Sequence, residues 1–333
     1  MAAESVGSPA ESAGSLGEDR LVASVLARVT GADAPAGVGL VVGPGDDAAV
    51  LAPPVGGLVL STDTLVEGQD FRTAWSSGAD VGAKAAAQNF ADIAAMGARP
   101  VALLVSLSMP GGTPAGWVED LSAGVAAECA RAGAALVGGD VSAASEVVVT
   151  GTAVGATDGV APVLRSGARV GDVVALCGET GPAAAGLALL ETGTTHSEEF
   201  ARLLAAQRRP VPPYAAGPAA ARAGATALID TSDGLVRDAA RIARASGVRL
   251  DLDPAALEPA PDLVAPAERL GADARTWVLT GGEDHALLAC FPAGTALPPG
   301  YRAIGTVVEG SDGPPVLFGG LPWRGGSGWT HWA

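Results

Sequence analysis

The chain has 333 residues, of which 48% are hydrophobic and 17% charged, and it carries a formal net charge of −16. That length builds two domains with cores of their own, while the charge excludes a nonspecific grip on nucleic acid, whose phosphates it would repel. No apolar run approaches a membrane span, and Glu4, Glu11, Glu18 and Asp19 stand where an export signal would be basic and apolar, so a cytoplasmic protein with no membrane partner is expected.

Residues 1–16 are mainly Ala, Ser, Gly and Glu with little apolar periodicity, and a disordered tail is expected. Leu21, Val22, Val25, Leu26 and Val29 have the spacing of a helix over about 18–30. Short strands are expected at Val38 to Val42, Ala48 to Ala52 and Gly57 to Ser61, separated by Gly and Pro turns. An Ala-rich helix covers Ala79 to Met96 and stops at Gly97. A strand at Val101 to Ser108 follows, then a helix at Pro114 to Ala132 and strands at Ala134 to Val137 and Val147 to Ala156.

Near residues 157–169 the texture changes, which divides the chain into an N-terminal domain over 17–163 and a C-terminal domain over 164–333. The second half alternates strands and helices: strand Asp172 to Leu176, helix Pro182 to Leu190, helix Glu198 to Ala206, helix 215–223, strand 225–230, helix 233–245 and strand 248–252. That is a β-α-β rhythm. Strands at His285 to Phe291 and near 302–308 close it. The fold class is therefore α+β in the first half and α/β in the second.

Carboxylates recur beside apolar strand-like runs or glycine. They are Asp46-Asp47, Asp63, Asp92, Asp140, Asp230 with Asp233, and Glu283-Asp284. Taken singly, each is also explained as a helix cap or a turn. The repetition in both halves points instead to ligand groups gathered at strand ends. Lys84, the only lysine, is spaced i, i+4, i+8 with Gln88 and Asp92 along one line of the Ala-rich helix. That line is either a solvent stripe or a wall facing a site. Clustered carboxylates repel phosphate, so a phosphate site among them needs Mg²⁺ between. There is no G-x-x-x-x-G-K-[ST] loop and no G-x-S-x-G, and His196, His285 and His331 lack metal-ligand spacing. Cys129, Cys177 and Cys290 are scattered, which fits reduced thiols better than a disulfide framework or a zinc site.

Seven stretches together resemble one family. They are GDDAAVL (45–51), STDTLVEG (61–68), KAAAQNFADIAAMGARP (84–100), GGD (138–140), LRSGARVGD (164–172), IDTSDGLVRDA (229–239) and LTGGEDHALL (279–288). In this order they resemble the thiamine-monophosphate kinases, of the aminoimidazole ribonucleotide synthetase superfamily.

The resemblance implies a two-domain PurM-like fold. Strands of its N-terminal α+β domain join those of a second subunit, and a C-terminal α/β domain follows. It implies ATP-dependent phosphorylation of thiamine monophosphate to thiamine diphosphate, with ATP as co-substrate and several Mg²⁺ ions. By motif, Asp46, Ser61, Thr62, Asp63, Asp92, Asp140, Asp230 and Asp233 match metal positions. Gly139, Asp140, Arg165 and Ser232 match nucleotide contacts. Glu283 matches a substrate contact, and Trp329 is the C-terminal aromatic expected to stack on the substrate. Asp70 stands where the family usually has a substrate-contacting His. An acidic side chain there repels a substrate phosphate unless a metal bridges them. Another ATP-using enzyme of the superfamily, or a weakly catalytic nucleotide- or thiamine-binding protein, are the alternative readings.

Overall fold

The computed structural model describes residues 11–29, 39–44, 48–326 and 328–329. Asp46 and Asp47 lie outside the described residues. Helix α1 (Ala13–Leu16) is one turn, capped reciprocally by the side chains of Ser12 and Ser15. Ala13 N–H donates to the Thr113 carbonyl at 2.7 Å, and Ala115 N–H donates to the Glu11 carbonyl at 2.9 Å. Residues 11–16 are thus ordered by backbone partners about a hundred positions away, which corrects the expectation that the tail reaches residue 16. Composition carries no trace of such partners.

Helix α2 (Glu18–Val29) and the antiparallel pair β1 (Leu40–Val42) and β2 (Val50–Leu51) follow. Then come β3 (Leu58–Val66), α3 (Gly78–Ala95), β4 (Arg99–Met109), α4 (Ala115–Ala132), β5 (Ala135–Ala143) and β6 (Val148–Ala156). Strands β3, β6, β4 and β5 form a four-stranded sheet in that order. Helix α3 starts at a capping box in which Ser77 and Asp80 bond each other's backbone N–H. It ends at Gly97, whose φ of +73° suits glycine. Helices α3 and α4 approach at their glycines: a Cβ on Gly82 would sit 2.0 Å from the Leu121 carbonyl oxygen.

The second half supplies β7 (Val173–Cys177), α5 (Pro182–Glu191), α6 (Ala201–Arg208), α7 (Ala216–Arg222), β8 (Ala227–Asp230), α8 (Leu235–Ser246) and β9 (Arg249–Leu252). A 3-10 turn (Pro254–Leu257), α9 (Pro261–Leu270) and α10 (Ala274–Thr280) fill a stretch to which the sequence reading assigns no element. Strands β10 (Leu287–Phe291), β11 (Tyr301–Val308), β12 (Val316–Phe318) and β13 (Leu321–Pro322) complete it. The sheet order is β13-β12-β9-β11-β7-β10-β8. β10 is antiparallel to both β7 and β8, and β11 is antiparallel to both β7 and β9. Strands β7, β8 and β9 therefore run the same way, as the β-α-β rhythm predicts, but β10 and β11 slot between them. All five residues of β10 are buried, as a central strand covered on both faces requires.

The chain divides into two compact units that are not contiguous in sequence. One holds Met1–Ala52, Asp63–Ala86 and Leu103–Gly151, and the other holds Pro53–Thr62, Ala87–Ala102 and Thr152–Ala333. Among the described residues no helix is long and apolar enough to cross a membrane.

Candidate functional site

In the second unit the ladder between β8 and β10 continues past both strand ends. Thr231 N–H donates to the Ala286 carbonyl at 2.8 Å, and Glu283 N–H donates to the Ser232 carbonyl at 2.8 Å. The Asp230-Thr231-Ser232-Asp233 loop and the Glu283-Asp284-His285 loop are thus stitched together by main chain. Gly282 permits this, since a Cβ there would lie 2.5 Å from the Ser232 oxygen.

Asp230 ends β8 with only 3% of its surface exposed. Its Oδ2 lies 3.0 Å from His285 Nδ1. Burial alone would favour a neutral His285, but the hydrogen bond and charge of Asp230 outweigh it and raise the imidazole above its usual range. Asp92, on α3, accepts the Ser61 hydroxyl at 2.5 Å. Its carboxyl is raised by burial first and by the Asp230 charge second, while Ser61, His285 and the exposed Arg165 pull it back. Two carboxylates whose charges resist one another, with a hydroxyl beside them, are hard oxygen donors suited to a divalent cation such as Mg²⁺. This donor set fits the expected metal in part. Among the described residues no three Asp, Glu, His or Cys side chains form a complete metal-holding group.

Asp233 has other cations at hand. Its carboxylate pairs with Arg241 and, at 3.4 Å, with Arg237. Arg241 also pairs with the fully buried Asp238, which accepts the Asp233 N–H at 3.1 Å. Burial and then the charge of Asp230 push the Asp238 carboxyl up to about 7. Trp329 N–H donates to the Asp233 carbonyl at 2.9 Å, and half of the Trp329 surface is exposed. The Glu283 carboxylate accepts Gln207 Nε2 at 2.7 Å.

The remaining candidates sit elsewhere. Thr62 faces Thr152, with hydroxyls 3.3 Å apart on the exposed side of the four-stranded sheet. Asp63 is exposed, and strand alternation turns it to the same side of β3 as Ser61. In the first unit Asp140 accepts the Ser142 hydroxyl at 2.8 Å. Gly138, Gly139 and Asp140 border an apolar cavity of about 290 Å³ lined also by Leu26, Val105 and Leu136. Gly139 admits no side chain, because a Cβ would lie 2.0 Å from the Val105 carbonyl oxygen. Asp70 closes its own turn, its carboxylate accepting the Val66 N–H at 2.8 Å.

Residues 45–157 match the family AIR synthase related protein, N-terminal domain. A thiamine-monophosphate kinase of Mycobacterium tuberculosis is 50% identical over 292 residues, 87% of this chain and 85% of the relative. One of Corynebacterium glutamicum is 44% identical over 270 residues, 80% of this chain and 81% of the relative. The chain belongs to the thiamine-monophosphate kinase family.

Solved structures agree with that membership. Thiamine-monophosphate kinase from Stenotrophomonas maltophilia is 31% identical with a TM-score of 0.77, covering 90% of this chain and 96% of that one. AaThiL complexed with AMPPCP and TMP is 29% identical with a TM-score of 0.77, covering 95% and 97%. The hydrogenase maturation protein HypE of E. coli, at 20% identity and a TM-score of 0.65, covers 91% and 94% and shares the fold. As a member of the kinase family the protein is a phosphotransferase with the α+β architecture expected of it.

Some roles escaped the sequence. Asp284 reads as half of an acidic pair, yet its carboxylate accepts Gly181 and Ala183 N–H at 2.6 and 2.8 Å and caps α5. His285 has no metal-ligand spacing, yet it orients Asp230. Lys84 is 2% exposed and donates to the Asp70 carbonyl at 2.9 Å, and Gln88 and Asn89 are buried too, so their line on α3 is not a solvent stripe. Gln207 carries no sequence signal for its bond to Glu283.

Proposed function

We propose that the protein transfers the γ-phosphoryl group of ATP to thiamine monophosphate, giving thiamine diphosphate and ADP by direct in-line displacement. The observation that carries this reading is the Asp92–Asp230 carboxylate pair with Ser61, set beside the exposed Arg165. It is joined by kinship to AaThiL, solved with AMPPCP and TMP.

Several Mg²⁺ ions, when bound, neutralise the charge between carboxylates and phosphate oxygens. In the second unit Asp92, Asp230 and Ser61 would hold them, with Thr62 and Asp233 as further oxygen donors. In the first unit Asp63 and Asp140 are the corresponding donors, and Asp46 belongs with them by motif. Arg165 and Ser232 bind nucleotide phosphate. Gly139, held against the Val105 backbone, offers its main chain to the nucleotide next to a cavity whose apolar walls suit a heterocycle. Glu283 and the exposed indole of Trp329 receive the thiamine acceptor. The acceptor is a phosphate monoester, ionised near neutral pH, so no general base is required. Catalysis is positioning and charge neutralisation.

The protein acts as a homodimer in the cytoplasm. Leu58 and Leu60 are 59% and 67% exposed and share the outward side of β3 with Thr62 and Thr64. Such an apolar and hydroxyl-bearing sheet face suits a second copy of the chain. The thiols of Cys129, Cys177 and Cys290 are free and buried, the state a reducing compartment maintains.

Purified protein incubated with ATP, MgCl₂ and thiamine monophosphate is expected to yield thiamine diphosphate, read by chromatography. ATP binding without that product overturns the reading.

A further inference from the structure

Five buried side-chain polar atoms find no hydrogen-bond partner among the described residues, and three of them sit on segments that meet one loop. They are Gln207 Oε1, Thr180 Oγ1 and Thr231 Oγ1. The loop is Glu283-Asp284-His285. Gln207 donates to the Glu283 carboxylate. Thr180 precedes Gly181, whose N–H the Asp284 carboxylate accepts. The Thr231 backbone bonds Ala286 and His285. A buried polar atom left without a partner is destabilising, and one amide oxygen and two hydroxyls on segments that meet one loop mark a place where a polar partner is missing.

The stem of Gln207 is held firmly. Helix α5 passes so close that a Cβ on Gly186 would lie 2.1 Å from the Leu203 carbonyl oxygen and 3.0 Å from Gln207 Cβ. Gln207 is only 6% exposed. Its Nε2 must be the atom facing Glu283, because an amide oxygen cannot donate to a carboxylate. Its carbonyl oxygen is therefore left as an acceptor beside a second acceptor, the Glu283 carboxylate. Two acceptors side by side repel phosphate and select a group with two hydrogens to give.

We propose that Gln207 is a specificity-determining residue for the acceptor substrate, fixing Glu283 and accepting, with it, the two hydrogens of an exocyclic amine on a pyrimidine ring. The proposal rests on the function above, since the thiamine acceptor carries one such amine at the end remote from its phosphate. Gln207 Oε1 is covered by protein atoms, so the amine can reach it only if the Glu283-Asp284-His285 loop shifts. Glu283 and His285 hold φ of +67° and +52° there, strained backbone of the kind that ligand-binding sites keep.

The test compares thiamine monophosphate with oxythiamine monophosphate, in which a carbonyl replaces the amine. A site built to bind an N–H rejects an analogue lacking it strongly, so wild-type kcat/KM is expected to fall by about a hundredfold or more. Gln207→Leu is expected to raise KM for thiamine monophosphate about tenfold, the effect of one lost hydrogen bond. KM for ATP should stay within about twofold, and discrimination against the oxo analogue should shrink. Equal use of both acceptors by the wild type overturns the proposal and needs no variant to fold. So does an unchanged KM in a folded Gln207→Leu, or a parallel rise in KM for ATP. Wild-type protein inactive on thiamine monophosphate sinks the parent function instead, which keeps the two failures apart.

Discussion

His285 Nδ1 stands 3.0 Å from Asp230 Oδ2, with both side chains buried. The imidazole N–H occupies one carboxylate oxygen and fixes the orientation of the group. Removing it with His285→Leu frees Asp230 to rotate. Outer-sphere partners of this kind typically account for tenfold to hundredfold in metal affinity. The dissociation constant for Mn²⁺, followed by electron paramagnetic resonance, is expected to rise by about that factor. Unchanged affinity would remove His285 from the site.

Asp63 is exposed on β3, so its replacement should not disturb packing. Asp63→Asn is expected to lower turnover by about a hundredfold or more while the melting temperature holds. Near-normal kcat would refute its role as a metal donor.

Asp70 does two things that can be separated. Its carboxylate accepts the Val66 N–H, while its own N–H donates back to the Val66 carbonyl at 3.0 Å. Asp70→Ala should cost about 1 kcal/mol in urea unfolding, the worth of one hydrogen bond. Asp70→Asn keeps the acceptor oxygen and removes the charge, so KM for thiamine monophosphate should fall. If KM stays the same, Asp70 is a turn residue alone.

Asp284 makes stability depend on pH. Burial first, against the pull of the Ala183 and Gly181 N–H groups, moves its carboxyl from 3.8 to about 7. Between those values the folded chain holds a proton that the unfolded chain has released. Its contribution is therefore complete below about pH 4 and is lost as pH rises through 7, with a limiting slope of about 1.4 kcal/mol per pH unit. Melting temperature should fall from pH 5 to pH 8, and Asp284→Asn should show a shallower fall. Identical slopes would overturn this assignment.

Leu60→Glu places a charge on the open face of β3, where Leu60 is 67% exposed. Size-exclusion chromatography with light scattering should show the variant shifted toward monomer and the wild type as dimer. A monomeric wild type would exclude the proposed pairing.

The long elements were legible in the sequence because their signals are local. The Ala run before Gly97 and the glycine at 133 set α3 and α4 to within a residue of their observed ends. Helix α9 was not, since Pro266 interrupts its pattern, and α10 has only seven residues. The sheet order escaped as well, because nothing near β10 or β11 says that they lie between strands made earlier. At the site, carboxylates after strands were readable as a set. Which of them face a cation was not: the arginines that meet Asp233 lie one and two turns along α8, and the residues that Asp284 caps lie about a hundred positions away.

The order in which strands enter the seven-stranded sheet has a cost during synthesis. Among the described strands β7 pairs with β10 and β11, and β8 with β10. Both leave the ribosome long before their partners, as does β9, whose neighbours are β11 and β12. From their emergence until β10 and β11 follow, these strands lack their sheet partners, and such edges recruit other chains. The C-terminal half therefore closes only when nearly the whole polypeptide has emerged. A chain truncated before Tyr301 lacks β11, the middle strand of the seven, and leaves β9 without either neighbour.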